Sequence, residues 1–127
     1  MDKIVKHWLE RSKYDLDTAE VMFQSRRYLY VAFMCQQSVE KIMKAIISNN
    51  GKRPVPVHSL LRLAELAGLE LKEEKRKEFY NTLSAYCINA RYAEYKERLS
   101  EICNRAEAER ILEQTGKEWK WLRKKIT

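Results

Sequence analysis

The sequence predicts an all-α protein, an up-and-down bundle of four main helices plus one short helix, and three observations predict it. The 127 residues hold only 3 glycines and 2 prolines, too few for the many turns of a sandwich or barrel. Apolar residues recur at steps of three and four through most of the chain, the period of a helix with one buried face. The one clear loop is KRPVPVHS, whose two prolines exclude a helix interior. At this length a single domain over residues 1–127 with one core is expected.

The first helix is predicted over about 3 to 25, with Val5, Trp8, Leu9, Leu16, Ala19, Met22 and Phe23 on one face and Lys13, Asp15 and Asp17 on the other. The phase resets at Ser25-Arg26-Arg27. A second stripe, Tyr28, Val31, Ala32, Cys35, Val39, Ile42, Met43 and Ile46, ends at Asn49-Asn50-Gly51, where Gly51 suits a helix C-terminus. Beyond the proline loop, Ser59 to Ala67 forms the short helix, stopped by Gly68. Lys72 to Ala90 forms the next, with Phe79, Leu83, Tyr86, Cys87 and Ala90 on one side, and it delivers Arg91 at its end. Residues 92–103 have good helix formers and no breaker, so both a helix and a crossing loop fit them. Asn104 followed by Glu107 resembles a capping box and opens the last helix, with Ala108, Ile111, Leu112, Thr115, Trp119, Leu122 and Ile126 as its stripe.

The chain carries 25 Lys and Arg against 18 Asp and Glu, a formal net charge of +7 that permits contact with RNA, DNA or an acidic protein. The excess gathers in KEWKWLRKKI, where cations also suit the negative pole of a helix end. Cys35, Cys87 and Cys103 are far apart and form no C-x-x-C pair; buried thiols in a reducing compartment are expected. No apolar run reaches signal-peptide or membrane-span length, so a cytoplasmic location is expected. There is no glycine-rich phosphate loop, nucleophile triad, paired-carboxylate geometry or metal-ligand cluster, and no cofactor or metal is expected.

On the second helix, Gln37, Glu40 and Lys44 share one edge, and Glu40 precedes Lys44 by four, the favoured order for a salt bridge. That edge suits either a polar groove or a solvated face. The wider pattern is more specific. Asp15-Leu16-x-x-Ala19, then Tyr28-x-x-Ala32-Phe33-x-x-Gln36-Gln37-x-x-Glu40-Lys41-x-x-Lys44-Ala45, then His58-Ser59-Leu60 and Ala90-Arg91-Tyr92, resemble in order and spacing the HEPN family, a nucleotide-binding domain of higher eukaryotes and prokaryotes.

The resemblance implies a bundle of four main helices plus a short one, a homodimer, and a partner that is a minimal nucleotidyltransferase, in pairs similar to toxin and antitoxin. It implies nucleotide or RNA binding and, in active members, metal-independent ribonuclease activity from an arginine followed within a few residues by a histidine. Arg91 occupies that arginine's position, but no histidine follows it, so the motif is incomplete. Cleavage needs a group that titrates near neutrality, and Tyr95 and Lys96 have ordinary pKa values near 10. Binding survives the missing histidine better, because a guanidinium keeps its charge and offers paired donors to a phosphate. Ala93 also stands where the family often has proline.

The expected site is therefore Arg91 and Tyr92, with Gln37, Glu40, Lys44 and His58. Arg53, five residues before His58, mimics the ribonuclease spacing but lies in the proline loop. His58 matches the family's His-x-Leu at the short helix, where the alternative is a ring bonded to local backbone. Arg91 alternatively caps a helix end or pairs with a carboxylate such as Glu40. Three classes of function follow: a binding partner of a nucleotidyltransferase, a ribonuclease in which Glu94, Glu97 or His58 replaces the missing base, and a dimerisation scaffold. For the scaffold, Trp8, Trp119 and Trp121 are candidate anchors, Trp119 belonging to the core stripe and Trp121 falling off it. Tyr92 and Tyr95 are candidate acceptors for modification by a nucleotidyltransferase.

Overall fold

Helix α2, Tyr28–Asn49, is the element on which the others pack, because its sequence is apolar on more than one face. Val31, Cys35, Val39, Ile42, Met43 and Ile46 are buried as the stripe predicts, and Leu29, Ala45 and Ile47 outside the stripe are buried as well. A helix covered on one side only would leave that second set in water. The computed structural model describes residues 1–89 and 93–126, without the side chains of 93–96. Among the described residues there are six helices and no strand: α1 (Lys3–Gln24), α2, α3 (Leu60–Leu66), α4 (Glu74–Asn89), α5 (Ala93–Ile102) and α6 (Arg105–Arg123). None is long and apolar enough to cross a membrane.

The pairings fix the directions. Ser12 of α1 meets Trp119 of α6, while Arg105 of α6 lies over Phe23 of α1, so these two helices run antiparallel. Tyr80 and Arg76 of α4 meet Glu118 and Trp121 of α6 in the same opposed sense. The four long helices thus alternate in direction around α2, with α3 and α5 as shorter additions. The stretch that suits helix or loop is helical over the described Ala93–Ile102, and Leu99 packs on the core.

Sequence signals set the ends. Asp2 caps α1 by accepting from the Ile4 amide at 2.7 Å, Ser59 caps α3, and Asn104 caps α6 by accepting from the Glu107 amide at 3.0 Å. The capping box is only half made: Glu107 turns its carboxylate to Arg110 at 2.5 and 3.0 Å instead of returning it to Asn104. Helices α1, α2 and α3 close alike, with paired backbone bonds around one left-handed residue. Gly51 (φ 79°) and Gly68 (φ 73°) fill that position for α2 and α3, but α1 uses Arg26 (φ 63°).

Two polar residues of α1 lie inside, one of them, Asp15, against expectation. Ser12 is fully buried; its hydroxyl donates to the Ser38 carbonyl at 2.7 Å, and the Ser38 hydroxyl returns a bond to the Ser12 carbonyl at 2.8 Å. Asp15, placed by its neighbours on the outer face of α1, is buried and accepts from Lys41 at 2.5 Å. Both follow Val5 and Trp8 at helical steps, so the core face runs through them. The thiols divide differently from expectation: Cys35 and Cys103 are buried and Cys87 only half-buried. Burial pushes the Cys35 thiol up to about 12, which makes it a packing group.

Arg26→Gly should raise stability by about 1 kcal/mol, because a side chain in the left-handed region costs roughly that much. Gly51→Ala should lower it similarly; urea midpoints that moved the other way would refute the closure by these residues.

Candidate functional site

A buried carboxylate organises the polar edge of α2. Glu40 is 4% exposed, and each of its oxygens is matched to a donor. Oε1 accepts from the His58 Nδ1 at 3.0 Å and from the Gln36 amide at 3.1 Å; Oε2 accepts from the Lys44 ammonium at 3.2 Å. Gln36 is itself fully buried, also donates to the His58 carbonyl at 3.3 Å, and accepts from the Gln37 amide at 2.8 Å. Lys44 also lies 5.3 Å from the centre of the Trp8 ring, which ties the cluster to α1.

The local sequence explains the assembly. Gln36, Glu40 and Lys44 are spaced by four and stack along one edge of α2. Pro54 and Pro56 stiffen the connection, and Ser59 caps α3 directly after His58, so His58 is held at the point where the chain enters that short helix. Leu60 follows, buried, with its amide donating to the Ser84 hydroxyl of α4 at 3.0 Å. The corner is thereby locked between α2, α3 and α4.

Burial alone would raise the Glu40 carboxyl, but the bonds from His58 and Gln36 and the charge of Lys44 outweigh it and hold the group below its ordinary value. A carboxylate that stays ionised must receive a proton from each neighbour, so the His58 Nδ1 donates and Nε2 is the ring nitrogen facing outward. The His58 side chain is 43% exposed, against 5% for Glu40 and 12% for Lys44. The cluster is packed rather than hollow, and what it presents to solvent is chiefly this oriented imidazole.

The expected site residues therefore separate. Gln37, Glu40, Lys44 and His58 come together; Arg91 and Tyr92 lie outside the described residues, as do the side chains of Glu94 and Tyr95. The alternative for His58, a ring bonded to local backbone, gives way to the Glu40 carboxylate, and only its carbonyl serves a local role. Gln36 is absent from the expected site, although its spacing of four from Glu40 marks it. Also unforeseen is the group around Glu118, 3% exposed, which accepts from Arg76 at 2.7 Å, Tyr80 at 2.6 Å and Gln114 at 3.0 Å. Trp121, the candidate anchor, is half-buried beneath Arg76 at 3.8 Å and Lys125 at 4.6 Å. His7 and Arg53 are exposed, as is Glu97 on α5.

A family model described as the HEPN domain matches residues 5–125. The crystal structure of TT1696 from Thermus thermophilus is similar, with 25% identity, a TM-score of 0.80, and coverage of 98% of this chain and 99% of that one. The crystal structure of ST0689, described as an archaeal HEPN homologue, shares the fold with 19% identity, a TM-score of 0.78, and coverage of 99% of this chain and 100% of its own. No curated protein matches.

Glu40→Gln should lower stability by about 2–3 kcal/mol at neutral pH, since it leaves Lys44 and His58 beside a group that no longer carries charge. The sign with pH follows from the lowered carboxyl. The unfolded chain binds that proton more readily, so the contribution is full above the ordinary value of 4.5 and disappears as pH falls through the lower folded value. Urea midpoints should therefore converge for wild type and variant on acidification; a gap that widened in acid would refute the charged network.

Proposed function

The chain belongs to the HEPN domain family, and from that premise we propose that it binds nucleotide or RNA as a homodimeric partner of a minimal nucleotidyltransferase, in a pair of the toxin and antitoxin kind. The observation that carries the reading is the His58 imidazole fixed by Glu40 on a chain of net charge +7. With Nδ1–H bonded to the carboxylate, the outward nitrogen accepts from a base N–H or a ribose hydroxyl, and donates to a phosphate when the ring is protonated, without first losing rotamer freedom. Arg91 supplies the guanidinium for a phosphate, Tyr92 an aromatic face for a base, and Gln37 an amide at the margin. Tyr92 and Tyr95 are the proposed acceptors if the nucleotidyltransferase modifies its partner.

A second reading, a metal-independent endoribonuclease, has one observation in its favour. An imidazole oriented by a carboxylate through Nδ1 is the arrangement of a general base, which the segment after Arg91 lacks. In that reading His58 supplies the base and Arg91 steadies the charge on phosphorus, with Glu94 and Glu97 as the other candidates.

One experiment separates them: mixed-sequence RNA with purified protein in excess EDTA, wild type beside Arg91→Ala and His58→Ala, read for retention on a filter and for cleavage on a gel. The binding reading expects intact RNA, with retention weakened about tenfold in each variant, the value of a charge-assisted contact of about 1.5 kcal/mol. The melting temperature should stay nearly constant in Arg91→Ala, whereas His58→Ala should lower it by removing a partner of the buried Glu40 carboxylate. Cleavage lost in both variants would establish the ribonuclease; equal losses of retention and melting temperature in Arg91→Ala would make that arginine structural.

A further inference from the structure

Between α1 and α6, away from the Glu40 cluster, lies an open groove of about 430 Å³. Leu16, Phe23 and Leu112 form an apolar floor, each half-buried, with Phe23 and Leu112 packed against the core. Asp17, Glu20, Glu109 and Glu113 line it as exposed acids, on a chain whose overall charge is +7. Two cations contact its lining residues: Lys13 is paired with Asp17, and Arg105 lies 5.1 Å from the Phe23 ring centre. Glu20 accepts only from the Gln24 amide, and Glu109 and Glu113 have no ion pair among the described residues. The groove is thus acidic where the molecule as a whole is basic.

Gly116 adds a second observation. It sits in the interior of α6, where glycine is less stable than alanine, and it also lines the groove. A Cβ built there would meet nothing within 4 Å, so no neighbour in this chain requires the glycine. The chain's own basic end does not fill the space, because Ile126 is buried in the core.

We propose that this groove docks a cationic amphipathic helix of a partner protein. Its apolar side chains enter over Leu16, Phe23 and Leu112, the missing side chain at Gly116 leaves room for its backbone to approach, and its lysines and arginines meet Glu20, Glu109 and Glu113. Two adjacent antiparallel helices form a natural seat for a third. Nucleic acid is repelled from the same surface, so this is a protein-facing side and stands whether or not the nucleotide-binding reading does.

The probe is a fluorescein-labelled 14-residue peptide (about four helical turns) of leucine and lysine patterned as an amphipathic helix, titrated by anisotropy. Wild type should bind it, more weakly as salt rises. Glu109→Gln with Glu113→Gln should weaken binding by at least about fivefold without lowering the melting temperature, and Gly116→Leu should do the same by bulk. Glu73→Gln with Glu78→Gln, on another surface, should change nothing. No wild-type binding, affinity unchanged by the Glu109 and Glu113 pair, or an equal loss with the Glu73 and Glu78 pair would overturn the proposal. So would a wild-type dimer that the Glu109 and Glu113 pair converts to monomer, since the groove would then hold a second copy.

Discussion

The constraint on which this bundle turns is a carboxylate in the wrong place. Glu40 lies 4% exposed on the most covered helix of the protein, where an unmatched charge would cost several kcal/mol. Gln36 and Lys44 come from its own helix at the spacing of four, but His58 has to be brought from beyond the proline loop. Satisfying the charge therefore fixes where that loop ends and where α3 begins. The Leu60 amide then meets Ser84, and α4 is located against the same corner. One buried acid sets the relation of three helices and the attitude of the one imidazole at their junction.

The same logic recurs elsewhere with different chemistry. Glu118 gathers Arg76, Tyr80 and Gln114 at the contact of α4 with α6. Ser12 and Ser38 exchange bonds across α1 and α2, and the Trp119 indole joins them at 2.8 Å. Each group specifies which faces meet, because an apolar interface tolerates sliding and a saturated polar one does not. Charge is also sorted between surfaces. The chain as a whole is basic, while the groove between α1 and α6 is lined by acids.

Much of the fold is legible in the sequence because apolar residues must leave water and a helix permits them one repeating face. Val5 through Phe23, the α2 stripe and the run from Ala108 to Ile126 locate the long helices closely, and Pro54, Gly51, Gly68 and Asn104 mark their ends. Hydropathy is silent about a polar residue that is buried with a partner. Asp15 and Glu118 resemble surface acids because their partners, Lys41 and Arg76, are distant in sequence. Ser12 is hidden by its hydroxyl although it stands on the right helical step. The candidate site is legible in part: the spacing of Glu40 and Lys44 announces their pair, whereas the bond to His58 depends on how an 18-residue separation closes in space.

The most direct test of this organisation is the protonation of one ring. Nitrogen-15 spectra of the His58 imidazole at about pH 8.5, above the ordinary imidazole range, distinguish which nitrogen carries the proton. A carboxylate at 3.0 Å requires the proton on Nδ1 in wild type, and Glu40→Gln should release that preference. A proton on Nε2 in the wild-type protein would contradict the pairing, and with it the claim that Glu40 orients this histidine.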